Sequence, residues 1–181
     1  MQLGTEQFDQ VAMARDMIMR GYINNAVKLE TQLSMKTIRT LRSKLTAEGL
    51  AKNPRGRQIR QGQSIIKRSE DREDVTILML AYRNYGGEDI LLSVNINALN
   101  LAYDTYVLVK SEINRHPVDF VTINDAYGLA QELRSDDAMF EKCDCCDLEF
   151  FISIRQECST KCPFCAGHPP HPSARVETVV A

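Results

Sequence analysis

A mainly α-helical chain with a small four-cysteine module near its C-terminus is predicted by three observations. Apolar residues recur at three- and four-residue spacing through most of the first 130 positions, Gly, Ser and Pro punctuate those runs, and two C-x-x-C pairs lie in the last forty residues. A chain of 181 residues, 44% hydrophobic and 25% charged, carries enough apolar material for one main core with an appendage.

The elements follow in order. Phe8, Val11, Ala12, Met17, Ile18 and Met19 predict a first helix over 6–20 that Gly21 ends. A second runs from about Tyr22 to Thr31 through Ile23, Ala26 and Val27. A third opens at Ser34, whose hydroxyl can cap the amide of Thr37, buries Ile38, Leu41 and Leu45, and stops at Gly49. Two short helices joined around Gln32-Leu33 make residues 1–50 a helix-turn-helix-containing region, in which the second helix of the pair enters the major groove of DNA. The side opposite Ile38, Leu41 and Leu45 carries Lys36, Thr37, Arg39, Thr40, Ser43 and Lys44, all able to contact base edges or phosphate oxygens. An ordinary solvated helix face has the same pattern, so the neighbouring charge matters.

The formal charge is −2, which alone argues weakly against a polyanionic partner. Its distribution argues otherwise: Lys36 to Arg72 holds eleven Lys or Arg against Glu48, Glu70 and Asp71, a net of +8 that leaves −10 for the remainder. Residues 51–69 read as an exposed basic linker loop, because Lys52 to Ser64 offers only Ile59 as an apolar side chain. Lys52, Arg55, Arg57 and Arg60 would sit close to the same duplex and neutralise phosphates, and Pro54-Arg55-Gly56-Arg57 suits a narrow minor groove.

Residues 70–138 read as a helical core. Glu70, Asp71, Glu73 and Asp74 place negative charge at the start of a helix through Val75, Leu78, Met79 and Tyr82, ended by Gly86-Gly87. One long or two consecutive helices follow from Asp89 to about Arg115, with Leu99, Ala102, Tyr103, Tyr106 and Val107 on the periodic face, until Pro117 breaks the pattern. Phe120, Ile123, Tyr127 and Ala130 mark another helix.

Residues 139–168 read as a separate module and 169–181, with three prolines, as a flexible tail. Cys143-x-x-Cys146 and Cys162-x-x-Cys165, fifteen residues apart, form two thiolate knuckles, a spacing that points to one structural zinc ion in a zinc-ribbon-like site of four cysteines. A hairpin between the knuckles, Glu149 to Ile154, supplies strands. Cys145 and Cys158 fit neither knuckle and read as spare or buried thiols, while His168 is a weaker substitute ligand. Four protein ligands leave no open position for catalysis. A zinc deaminase needs an H-x-E segment, and His116, His168 and His171 are each followed by Pro, so no enzymatic activity is expected. An acidic N-terminus without an apolar stretch is no secretory signal, and the longest apolar run, Ile77 to Tyr82, is too short for a membrane span; a cytoplasmic protein with no membrane partner is expected.

Taken in order, Glu30-Thr31-Gln32-Leu33-Ser34 leading into the third helix, the helical middle, and Cys143-Asp144-Cys145-Cys146 followed by Cys162-Pro163-Phe164-Cys165 resemble the FlhC family of bacterial transcription activators. The resemblance implies zinc held by Cys143, Cys146, Cys162 and Cys165, a hetero-oligomer with an FlhD-like partner subunit, contacts with promoter DNA, and recruitment of RNA polymerase. The basic loop from Lys52 to Arg60 and the lack of Trp depart from the flagellar members, so the SetC- and AcaC-like activators of transfer genes on conjugative elements match better. A flagellar master-regulator subunit and a zinc-stabilised protein-interaction module that binds no DNA are the alternatives.

Overall fold

The computed structural model describes residues 5–54, 58–113 and 121–165. Among them the fold is mainly helical, with seven α-helices and one two-stranded antiparallel sheet. The order is α1 (Thr5–Arg20), α2 (Asn24–Thr31), α3 (Met35–Ala47), α4 (Gly62–Ile65), α5 (Ser69–Gly86), a 3-10 turn (Gly87–Leu91), α6 (Ile96–Ile113), α7 (Ile123–Arg134), β1 (Ala138–Lys142) and β2 (Glu149–Ser153). No helix among the described residues is long and apolar enough to cross a membrane.

Helices α1, α2 and α3 pack on one another, joining Ala14, Met17, Ile18, Ala26, Val27, Ile38 and Leu45 in the main core. The Tyr22 hydroxyl donates to Asn100 Oδ1 at 2.8 Å, and Asn100 Nδ2 donates to Asp16 Oδ2 at 2.8 Å, which fastens the α1–α2 corner to α6. The pair α5 and α6 forms the second half of the core through Val75, Leu78, Met79 and Tyr82 against Leu99, Ala102 and Tyr106. Asp74 is buried within it and compensated by Lys110 Nζ at 2.6 Å and the Tyr106 hydroxyl at 3.2 Å. The span from Asp89 resolves into the 3-10 turn and one long helix, because the Asn95 side chain accepts from the Ala98 amide at 3.0 Å and starts α6 afresh.

Helix α7 lies against α4, α5, α6 and β1, and every residue from Ile123 to Ala130 is buried. Its N-terminus is a capping box: Thr122 Oγ1 accepts from the Asp125 amide at 3.2 Å, and Asp125 Oδ2 accepts from the Thr122 amide at 2.9 Å. Phe120 and Pro117, read as marking this helix and the break before it, lie outside the described residues, as does the tail 169–181.

Two expectations change here. Residues 58–66 form a packed strap: Gly62, Ile65 and Ile66 are buried, and Ile59 packs on the main core. The physical reason is close approach. A Cβ on Gly128 would lie 2.2 Å from the Arg60 carbonyl oxygen, and one on Gly62 would lie 2.3 Å from Ser153 Oγ, so Gly128 lets the strap lie close on α7 and Gly62 lets it lie close on β2. The C-terminal module is likewise joined to the helices. Strand β2 alternates, sending Phe150 and Ile152 to the cysteine cluster and Phe151 to the main core, while Ser153 bonds to α7 and the Phe151 amide donates to Thr76 Oγ1 at 3.3 Å.

At position 128 the helix and the strap compete. Alanine is the better helix residue by about 1 kcal/mol, but overpacking against backbone costs about 1–3 kcal/mol. Gly128→Ala therefore lowers the thermal unfolding midpoint by several degrees, measured by circular dichroism; a raised midpoint would mean the strap is not held against α7.

Candidate metal centre and basic helical face

The first cysteine pair sits in the turn that joins β1 to β2, whose register pairs Lys142 with Glu149 and Ala138 with Ser153. The expected hairpin lies one strand earlier than the segment between the knuckles, since β1 precedes Cys143. Within the turn, the Cys143 amide donates to the Leu148 carbonyl and the Asp147 amide to the Cys143 carbonyl, both at 2.9 Å. Asp147 takes a left-handed conformation, φ 62°, that lets the chain reverse after Cys146. The second pair comes from the turn at 162–165 and faces the first.

The sulfurs of Cys143, Cys146, Cys162 and Cys165 lie within 4.8 Å of one another, with Cys143–Cys165 and Cys146–Cys165 at 3.3 Å and Cys146–Cys162 at 3.7 Å. Four thiolates around a tetrahedral ion with bonds of about 2.3 Å stand about 3.8 Å apart. The cluster is thus of the size that closes on a metal ion, and the four residues present fit one. Amides of Cys146 and Cys145 point at Cys143, the latter at 3.4 Å from its sulfur, and together with the Cys165 thiol pull its pKa down to about 6. Hydrogen bonds to Cys143, Cys146 and Cys162 push the Cys165 thiol up. A cation held among the four sulfurs would displace their remaining thiol protons to solvent. Cys145 is exposed outside the cluster, and half-buried Cys158 packs on the helical core with its sulfur 3.8 Å from the Ile66 carbonyl. His168 lies outside the described residues.

The α2–α3 pair is built as the residue pattern implies. Gln32, at φ 56°, makes the turn in the left-handed region, and Ser34 Oγ accepts from the Thr37 amide at 3.1 Å to cap α3. Lys36, Thr37, Arg39, Thr40, Ser43 and Lys44 are all exposed. At 100° per residue they do not form one line. Thr37, Thr40 and Lys44 lean toward α1, where with Val11, Lys36 and Leu41 they line a groove of about 340 Å³. Arg39 and Ser43 lie on the other flank. Arg42, between these and the core, is structural: it donates to Asn24 Oδ1 at 2.7 Å and to the Tyr22 carbonyl, and burial lowers its pKa.

The basic segment divides differently. Lys52 is exposed but lies beside Gly21 and the first turn of α7, and Arg55 and Arg57 lie outside the described residues. Arg60 departs from its expected place at DNA phosphates. Its guanidinium makes a two-point contact with Asp125, Nε to Oδ1 at 2.7 Å and Nη2 to Oδ2 at 2.6 Å, so its charge is already paired within the chain although the side chain stays partly exposed. Burial pushes the Asp125 carboxyl up, but the hydrogen bonds from Arg60 and Thr122 outweigh it and hold the pKa below the usual value. Asn124 and Tyr127 join α7 to the α1–α2 corner and to α2, and Glu132 joins it to the strap and β2, through hydrogen bonds that apolar spacing does not encode. The one trace of them in the sequence is the Thr122-x-x-Asp125 cap.

A scan against protein-family models finds no match to this chain, and a search of curated proteins finds none.

Two outcomes follow from the geometry. Cys143→Ser lowers bound metal per chain while Cys145→Ser leaves it unchanged, read by elemental analysis of purified protein; equal losses would remove the four-sulfur assignment. Because the folded Asp125 pKa lies below its ordinary 3.8, its contribution is fully present above that pH and disappears as pH falls through the lower folded value. The stability gap between the wild type and Asp125→Asn, measured by urea unfolding, is constant from neutrality to about pH 5 and narrows below pH 4.

Proposed function

We propose that this chain is a zinc-containing, sequence-specific DNA-binding subunit of a transcription activator of the FlhC type, working in the cytoplasm with an FlhD-like partner to recruit RNA polymerase, at promoters of conjugative-transfer genes. The observation that carries the reading is the α2–α3 pair: a capped second helix with six polar or basic side chains exposed on the side away from its buried Ile38 and Leu45. That arrangement suits a major groove, where Lys36, Arg39 and Lys44 meet phosphates or guanine edges and the threonine methyls meet thymine. Zinc is the natural ion for four thiolates, and with all four positions taken by protein its part is structural. Exposed Leu101 and Leu108, seven residues apart on α6, with Leu92 at 81% exposure just before it, offer an apolar surface of the kind a partner subunit covers.

The test combines binding and location. Each phosphate contact adds about 0.9 to the slope of log affinity against log salt. Lys36→Ala with Lys44→Ala therefore reduces that slope by up to about 2 in anisotropy titrations on promoter DNA, with the partner present. Arg60→Ala changes thermal stability and leaves the slope alone. Genome-wide occupancy in the native host supplies the DNA: peaks upstream of transfer operons support the whole reading, peaks at flagellar promoters move it to the flagellar version, and salt-independent or absent binding leaves a zinc-stabilised interaction module.

A further inference from the structure

The DNA-reading helices and the cysteine hairpin are at opposite ends of the sequence, yet both are hydrogen-bonded to one helix. At the C-terminal end of α7, buried Glu132 accepts from the Ser153 hydroxyl of β2 at 2.9 Å with one carboxylate oxygen and from the Gly62 amide at 2.8 Å with the other. Eight residues earlier, about 12 Å along the helix axis, Asn124 Oδ1 accepts from the Ile23 amide at 2.9 Å and Asn124 Nδ2 donates to the Gly21 carbonyl at 3.0 Å. Between them the Tyr127 hydroxyl donates to Glu30 Oε1 of α2 at 2.5 Å and accepts from Gln131 Nε2 at 3.1 Å. The Tyr127 ring also stands edge-on to Tyr22 with centroids 6.1 Å apart.

Each contact joins groups that burial leaves with few alternatives. Asn124 holds both sides of the α1–α2 corner, so a shift of α7 along its axis breaks one bond or the other. Tyr127 holds the far end of α2, next to the turn that launches α3. Glu132 is satisfied only while β2 is in register, because its second oxygen depends on Ser153, and Ser153 depends on the hairpin that the cysteine cluster closes. A buried carboxylate deprived of one of its donors is destabilised, enough to shift a marginal local equilibrium.

We propose that α7 couples the two ends: Glu132 senses the state of the cysteine hairpin, and Asn124 and Tyr127 act as positioning residues that hold α2, and through it α3, in the DNA-reading arrangement. This inference rests on the DNA-binding and metal readings above and adds regulation to them: a hairpin without its metal releases the grip of α7 on α2, and the recognition helix loses its fixed presentation.

Hydrogen exchange on the full chain, without DNA, tests the coupling. Cys143→Ser breaks the cluster whether or not metal is bound. The coupling predicts that amides of the hairpin and also of α2 and α7 exchange at least tenfold faster in this variant, while amides of α6 keep their protection. Adding Tyr127→Phe to Asn124→Ala removes the output side, and Cys143→Ser on that background changes α2 exchange less than threefold. Faster exchange confined to the hairpin overturns the proposal. If Cys143→Ser strips protection from the whole chain, Ser153→Ala, which removes only the hydroxyl that Glu132 accepts from, decides by the same criterion. The DNA reading fails separately: a chain whose α2 exchange responds but which binds no promoter DNA keeps the coupling and loses the activator function, and salt-dependent DNA binding with unresponsive α2 amides does the reverse.

Discussion

Satisfying the buried polar side of α7 is the constraint on which the arrangement of the molecule rests. Asn124, Asp125, Tyr127 and Glu132 are all buried, and a buried polar group left without a partner costs about as much as several well-made surface contacts provide. None of the four is satisfied wholly within the helix. Their partners come from the α1–α2 corner, from α2, from the strap and from β2. Apolar packing would bring these segments together in many nearly equivalent ways. The hydrogen bonds select one of them, tying α7 to the α1–α2 corner, the strap and β2.

The second constraint is the two-sided strand β2. A hairpin of two five-residue strands is too small to hold its shape in water by itself. Here one side of it is closed by the four-cysteine cluster and the other by helices. Arg83 adds a third fastening, with its guanidinium carbon 4.4 Å from the centre of the Phe140 ring and a hydrogen bond of 3.1 Å to Glu149 Oε1. The module is an extension of the core with a metal-sized cluster at its outer end, which explains how so short a segment supports ordered knuckles.

Much of this was legible in the residues. Several helix boundaries followed from apolar spacing and from glycine, and the cap at Ser34 was readable because the capping residue and its target are three positions apart. Both cysteine pairs were readable for the same reason. What was hidden depends on long-range partners. Nothing local distinguishes Arg60, bound to Asp125 sixty-five residues away, from an exposed lysine such as Lys36. The strap looked like a loop because glycines contribute no apolar signal, although Gly62 and Gly128 are what let it pack. Strand β1 was missed because Ala138 to Lys142 buries fully only Ala138. The DNA-facing role proposed for α3 draws on exposed charge, whose meaning depends on a partner outside the chain.

The bond from Glu132 to Ser153 also bears on the order in which the protein is made. Domains begin folding as they leave the ribosome, at about 5–20 residues per second. Glu132 emerges with its strap donor, Gly62, synthesised seventy residues before it, but its second donor lies twenty-one residues further on. The nascent helical body therefore waits with a half-satisfied carboxylate inside it until the hairpin is complete. A message cut short before the cysteine segment never supplies that donor, and it yields a loosely assembled chain suited to proteolysis.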